Sequence, residues 1–203
     1  MSVFEVLEKK GIKKEEYEKT LLAIQMLPSE LNSKLRYLAR NMITVMSYVH
    51  PEDTALFYEF CRRQGLELGK DFLFYYIDEE DHHMDLCIRR GLEHIGKAFE
   101  EFLSEVTKYE TAMFLLRSVG ITEPTKKQLE TAFKIIEFQK APCKLCYSKP
   151  LELKEFSPFR ILKRALEILP TEISYDYGEK TIIVTIKYGC GHKETKKFEF
   201  KEE

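Results

Sequence analysis

The chain has 203 residues; 44% are hydrophobic and 12% aromatic, and 32 basic against 34 acidic side chains leave a formal charge of -2. A chain of that length can bury a sizeable core without disulfides, and the composition excludes an intrinsically disordered tail, a collagen-like repeat and a strongly basic nucleic-acid coat. Charged residues make up 33%, and side-chain amides are confined to Asn32, Asn41, Gln25, Gln64, Gln128 and Gln139, a bias that fits a heat-adapted source. No apolar run approaches the roughly 20 residues of a bilayer span. Glu5 and Glu8 interrupt the N-terminal stretch where a secretory leader is apolar, so the expectation is a cytoplasmic protein.

Residues 1–50 read as a helical extension. Over residues 13–26, Tyr17, Leu21 and Ile24 recur at helical spacing; Pro28 and Ser29 interrupt, and Leu31, Leu35, Leu38, Met42, Val45 and Val49 continue a second run. His50-Pro51 breaks the pattern. Pro51, Glu52 and Asp53 then open a helix through Phe57, Phe60 and Cys61 towards Gly65 or Gly69, with its acids at the positive end.

Residues 71–81 are expected to be helical. Residues 82–104 are expected to form a helix with Leu86, Gly91, Ile95, Phe99 and Leu103 on one face, and residues 109–119 a further short helix closed by Gly120. Residues 131–138 carry Thr131, Phe133, Ile135, Ile136 and Phe138, a β-branched and aromatic content that predicts a strand. Residues 157–169 predict an amphipathic helix between Pro158 and Pro170. Residues 173–177, 181–188 and 193–200 predict a C-terminal β-meander, with Ile182, Val184 and Ile186 alternating on one face. The whole is expected to be α+β: an N-terminal helical extension over residues 1–50, then a helix-plus-antiparallel-sheet domain over residues 51–203.

Chemistry concentrates in two turns. Cys143 and Cys146 form a Cys-x-x-Cys pair beside Pro142, and Cys190 and His192 flank Gly191 between two predicted strands. Paired soft ligands on two tight turns present four donors at about 2.0–2.3 Å from one ion, so a zinc site of three cysteines and one histidine is expected. Because 43 residues lie between Cys146 and Cys190, such a site would clamp distant segments. Four protein ligands leave no open position, so the metal would hold structure. The competing reading, free thiols beside a surface histidine, accounts less well for ligand types that coincide with turns.

A second cluster, Asp78, Glu79, Glu80, Asp81, His82 and His83, with Asp85 and His94 beyond it, has metal-ligand types. Acidic residues ahead of a helix complement its dipole, and that solvated-cap reading is preferred. Cys61 and Cys87 are read as buried, inert thiols on helices. With no Gly-rich phosphate loop and no nucleophile elbow, the chain is not read as an enzyme.

Two segments resemble a known superfamily. Cys87-Ile-Arg-Arg-Gly-Leu-Glu-His-Ile-Gly-Lys-Ala-Phe-Glu-Glu-Phe-Leu103, preceded by the helix over residues 55–70, resembles the Gly-x3-Ile-Gly helix and following Phe-Leu of the small TRAPP transport-complex subunits. Phe159-Arg-Ile-Leu-Lys-Arg-Ala-Leu-Glu-Ile-Leu169, leading into strands, resembles the late helix and sheet of the same superfamily, whose other branch is the vinyl-4-reductase ligand-binding domain of prokaryotic sensors. The resemblance covers about residues 52–203. It implies helices packed on one antiparallel sheet, a homodimer, and, from the sensor branch, a small apolar ligand with a cysteine-bound zinc near the C-terminus. Lys187 and Lys197 occupy the spacings around Cys190 where that branch places a Glu and a second Cys, and neither Cys61 nor Cys87 matches the acylated cysteine of the transport subunits.

The functional expectation is a non-enzymatic, cytoplasmic regulatory or sensory zinc protein that binds a small hydrophobic ligand in a pocket lined by Phe57, Phe60, Phe72, Phe99 and Phe102. Against that stands the plainer reading of a phenylalanine stripe as core. An assembly scaffold with residues 1–50 as its dimer or partner surface is the alternative. Nucleic-acid binding through Lys193, Lys196, Lys197 and Lys201 ranks behind both, since lysines along a strand usually form a solvated face.

Overall fold

The computed structural model describes residues 3–78, 80, 82–147 and 158–201. Among these residues it holds eight helices and two three-stranded antiparallel sheets, the expected α+β class. The chain divides into two compact units, Met1–Thr107 and Lys108–Glu203.

The first unit contains helices α1 (Val3–Lys9), α2 (Lys14–Gln25), α3 (Ser29–Ala39) and α4 (Pro51–Arg63), and strands β1 (Met42–Val49), β2 (Phe72–Asp78) and β3 (His83–Arg89) in the sheet order β1-β3-β2. Helix α4 begins where its residues dictate. Pro51 occupies the first turn, where no backbone donor is needed; Glu52 and Asp53 follow at the positive end, and Arg62 and Arg63 close the negative end.

Three expectations for this unit are corrected. The helical run through Met42, Val45 and Val49 ends at Ala39, and Met42–Val49 is strand β1, paired with β3. Ile43, Thr44, Val45 and Tyr48 suit a pleated surface, while register shifts between Thr44 and Met46 and between Met46 and Val49 break the period of two and leave apolar residues at helix-like intervals. Residues 71–81 hold strand β2, not a helix. Phe72, Phe74 and Tyr76 join one apolar cluster while Leu73 and Tyr75 join another, so no polar face remains to show alternation. Residues 82–104 begin as β3, the hairpin partner of β2, and turn at Gly91, whose φ of +91° a side chain would strain. Helix α5 (Glu93–Ser118) follows without a break through the segment expected to be a separate helix.

Because β1 is part of this sheet, residues 1–50 belong to the first unit rather than forming an extension, and the division falls after Thr107 rather than at residue 50. The core of the unit is filled by Phe57, Phe72, Leu86, Ile88 and Phe99, none more than 1% exposed; burying each stabilises the fold by roughly 1.5–3 kcal/mol. Gly96, inside α5, accounts for the close approach of that helix to the sheet: a Cβ there would lie 2.9 Å from Val45 Cγ1.

The second unit contains α6 (Lys126–Lys140), α7 (Lys144–Tyr147), α8 (Pro158–Ile168), β4 (Pro170–Gly178), β5 (Thr181–Tyr188) and β6 (Lys193–Glu199), in the sheet order β4-β5-β6. The strand expected over residues 131–138 is helix α6. Its start is specified by a capping box: the Gln128 N–H donates to Thr125 Oγ1 at 3.3 Å and the Thr125 N–H to Gln128 Oε1 at 2.9 Å. Leu129, Ala132, Ile135 and Ile136 are then buried at helical spacing, so tertiary packing overrides the β-propensity of the run. The meander is as expected: Ile182, Val184, Ile186 and Tyr188 alternate into the core, and Phe198 meets Phe138 of α6 edge-on at 5.7 Å.

Candidate metal centre

Four side chains from the two turns converge in the second unit. Cys143 precedes the single turn of α7, Cys146 lies within it, and Cys190 and His192 lie in the β5–β6 turn, where Gly191 takes a φ of +85°. His192 Nδ1 is 3.6 Å from Cys143 Sγ, 3.5 Å from Cys146 Sγ and 3.3 Å from Cys190 Sγ, and the sulfurs of Cys190 and Cys143 are 3.6 Å apart. All four ligand atoms lie within 4.8 Å of one another.

These distances match the edges of a coordination tetrahedron. An ion 2.3 Å from sulfur and 2.0–2.1 Å from nitrogen sets S···S edges of about 3.8 Å and S···N edges of about 3.6 Å. The donor set, three soft sulfurs and one imidazole, suits zinc among the common divalent ions.

The backbone holds the ligands in place through the C-terminal end of α8. The Cys190 N–H donates to Glu167 O at 2.8 Å, the Cys143 N–H to Ile168 O at 2.9 Å and the Gly189 N–H to Leu169 O at 3.1 Å. Three consecutive carbonyls that a helix end leaves without partners thereby tie both ligand-bearing turns to one helix. Position 189 must be glycine for this approach, because a Cβ would stand 2.5 Å from Leu166 O and 3.2 Å from Glu167 Cα. The Arg164 guanidinium donates to the Cys146 carbonyl. Glu194 receives Lys144 on one oxygen and the Tyr188 hydroxyl on the other, linking β6 to α7. Neither Arg164 nor Glu194 was anticipated from the sequence, nor was the close approach of α8 to Gly189. The glycine on either side of Cys190 was the visible signal for the turn, but not for the helix packed against it.

The thiols differ electrostatically. The His192 backbone N–H, bonded to Cys190, is the main cause that lowers its pKa to about 7, and bonds from the neighbouring thiols assist. Cys146 moves the opposite way, to about 11, chiefly through its hydrogen bond to Cys190 and then through burial. Cys143 and Cys146 are buried, Cys190 is half-buried and His192 is exposed, so one edge of the centre faces solvent.

The other candidate residues fall elsewhere. Phe57, Phe60, Phe72, Phe99 and Phe102 do come together, but they pack on one another: ring centroids are 5.7 Å apart for Phe57–Phe72, 5.0 Å for Phe57–Phe99 and 5.5 Å for Phe60–Phe102. They form core, with Phe60 and Phe102 bordering a surface cleft of about 220 Å³ shared with Lys10 and Arg63. The Asp78–His83 segment does not cap a helix; it joins β2 to β3 in a hairpin, with Glu79 and Asp81 outside the described residues. His83 packs against His50 with the rings tilted by 48° and their centroids 5.0 Å apart, and it is not among the clustered candidate ligands of the described residues. Cys61 lies on α4 as expected, Cys87 on β3 rather than a helix, and both are buried. Lys196 sits over the Phe138 and Phe198 rings and Lys197 pairs with Glu199 at 2.9 Å, so these lysines already have partners. Among the described residues no helix is long and apolar enough to cross a membrane.

Comparison of the chain with protein-family models, with curated proteins and with solved structures gives no match.

Proposed function

We propose that the chain is a non-catalytic, cytoplasmic regulatory protein whose second unit is held together by a structural zinc ion bound to Cys143, Cys146, Cys190 and His192. The observation that carries this reading is the set of tetrahedral-edge distances among four donors drawn from two turns. Zinc here supplies folding free energy: it joins α7 to the β5–β6 turn, both already bonded to the end of α8. With all four positions taken by protein, no site is left for a bound water or substrate, which is the arrangement of structural rather than catalytic zinc.

The ligand-binding part of the reading is supported in the first unit, outside the phenylalanine core. A groove of about 510 Å³ runs between α2, α3 and α4, floored by Ile24, Leu27, Tyr58 and Phe74. Also lining it, the buried Glu59, 2% exposed, accepts from Thr20 Oγ1 at 2.7 Å and from Arg62 at 2.9 and 3.0 Å. An apolar floor beside a satisfied ion pair fits a small hydrophobic molecule with a single polar group.

Metal analysis and native mass spectrometry of the purified protein test the two parts separately. About one zinc per chain, absent from Cys143→Ser protein, is expected. A bound apolar small molecule that survives zinc removal and is lost on Ala23→Trp, a substitution in the groove lining, is also expected. Full-length, folded protein that carries no metal ends the first part, and a groove that releases nothing on denaturation ends the second.

A further inference from the structure

A second cleft of the first unit has a different chemistry. It measures about 420 Å³ and is lined by Ser33, Arg36, Tyr37, Ala39 and Arg40 from the end of α3 and by Tyr75 from β2. Arg36 and Arg40 stand one helical turn apart, so their guanidinium groups share a face. Each rests on an aromatic ring: Arg36 lies 5.9 Å from the centre of Tyr75 and Arg40 5.3 Å from that of Tyr37. Neither has an ion-pair or hydrogen-bond partner among the described residues. This contrasts with Arg62, Arg63 and Arg89 of the same unit, all paired with carboxylates.

No acidic side chain lines the cleft. Asp85, which does not line the cleft, accepts from the Tyr75 hydroxyl at 2.9 Å. Basic residues in a last helical turn complement the helix dipole, which accounts for two positive charges there but not for a cleft between them or for the rings that hold them. Tyr37 is 66% exposed, so its ring is accessible from solvent.

We propose that this cleft binds a nucleotide, a planar base carrying a phosphate. The two guanidinium groups, both lining the cleft, offer N–H donors to the phosphate oxygens. The Ser33 hydroxyl adds one further donor at the rim. The face of the Tyr37 ring that Arg40 leaves open takes the base by stacking, an interaction that every base can make. The volume falls within the range of small-molecule sites, at roughly 300–1,000 Å³. Neither the zinc centre nor the apolar groove enters this assignment, which stands on the first unit alone.

Isothermal titration of the zinc-loaded, full-length protein with adenosine monophosphate tests it, with inorganic phosphate and adenosine titrated as separate probes. The expected result is about one adenosine monophosphate bound per chain, with phosphate and adenosine each at least tenfold weaker. Arg36→Gln, Arg40→Gln and Tyr37→Ala are each expected to weaken binding at least tenfold while circular dichroism and zinc content stay unchanged. Arg90→Gln, which removes an exposed charge outside the cleft, should leave the affinity as it was. A short oligoadenylate distinguishes the source: tighter binding than the mononucleotide points to a strand, weaker binding to the free nucleotide, and either keeps the assignment. Absence of binding at millimolar ligand, equal binding of phosphate alone, or an Arg90→Gln loss as large as that of Arg36→Gln overturns it.

Discussion

Cys143 Sγ stands 3.6 Å from His192 Nδ1, although 49 positions separate the two residues in the chain. A contact of that range brings two distant segments together, alongside the backbone bonds of both to the end of α8. The zinc ion proposed above would add to them, since apparent structural zinc affinities in small domains reach about 10–16 kcal/mol. Cys143→Ser and Cys190→Ser are therefore expected to lose the metal and to expose the amides of β5, β6 and α8 to hydrogen exchange, while those of β2 and β3 in the first unit stay protected. Protection that falls equally in both units, or not at all, contradicts a clamp local to the second unit.

Gly189 is expected to be as sensitive as a ligand although it binds nothing. Alanine there drives a Cβ to 2.5 Å from Leu166 O, a backbone atom that cannot swing aside. Either α8 or the β5–β6 turn must move, which strains the bonds from Cys190 to Glu167 O and from Cys143 to Ile168 O. Overpacking of this kind costs about 1–3 kcal/mol. Gly189→Ala should lower both the melting temperature and the zinc affinity measured by competition with a chelator. An unchanged affinity would mean that the helix end does not position the ligands.

How much of this was legible depended on whether local pattern and tertiary role agreed. The clustering of the candidate ligands was visible because their residue types and their turns coincide: Cys143 with Cys146, and Cys190 with His192 about Gly191. The meander was visible because Ile182, Val184 and Ile186 face a core on one side and water on the other. Strand β2 was not, because α3 covers the face of Leu73 and Tyr75 while the main core covers Phe72 and Phe74, so burial on both sides erases the period. Strand β1 was hidden by its bulges, at one of which Tyr48 takes a φ of +59°. Helix α6 was hidden by Phe133, Ile135 and Ile136, yet Thr125 and Gln128 already spelled its capping box. The pairing of Arg36 with Tyr75 could not be read at all, since it depends on where β2 lies against α3.

Gly96 has a different cause from Gly189 and a different expected response. Its added Cβ would meet only the Val45 side chain, at 2.9 and 3.0 Å from its two methyl carbons. Gly96→Ala gains helix propensity of about 1 kcal/mol but loses more through overpacking, about 1–3 kcal/mol, so a net loss of stability is expected. Val45→Ala removes both methyls. The double variant Gly96→Ala/Val45→Ala should therefore be more stable than the sum of the single changes, with a favourable coupling of about 1 kcal/mol in denaturant unfolding. Strict additivity would show that α5 and β1 do not press on each other at this point.

The two cysteines outside the metal centre make a prediction about pH. Burial pushes the Cys61 thiol up to about 12 and the Cys87 thiol, despite its bond to Thr44, up to about 11, from an ordinary value near 9. The thiolate is the reactive form, so neither should be alkylated in the zinc-loaded protein at pH 8, while both should react after unfolding. The sign of the stability effect follows from proton binding. Below about pH 9 the thiols are protonated in both states and contribute no slope. Above it the unfolded chain releases these protons while the folded chain retains them, so unfolding is favoured progressively as pH rises towards 11 or 12. Raised tyrosines such as Tyr75 contribute in the same direction, and Cys61→Ala isolates the thiol. The variant should lose stability less steeply than the parent between pH 9 and 11 in urea unfolding, whatever its stability at neutral pH. Parallel slopes for the two proteins would show that Cys61 is not held protonated by the core of α4.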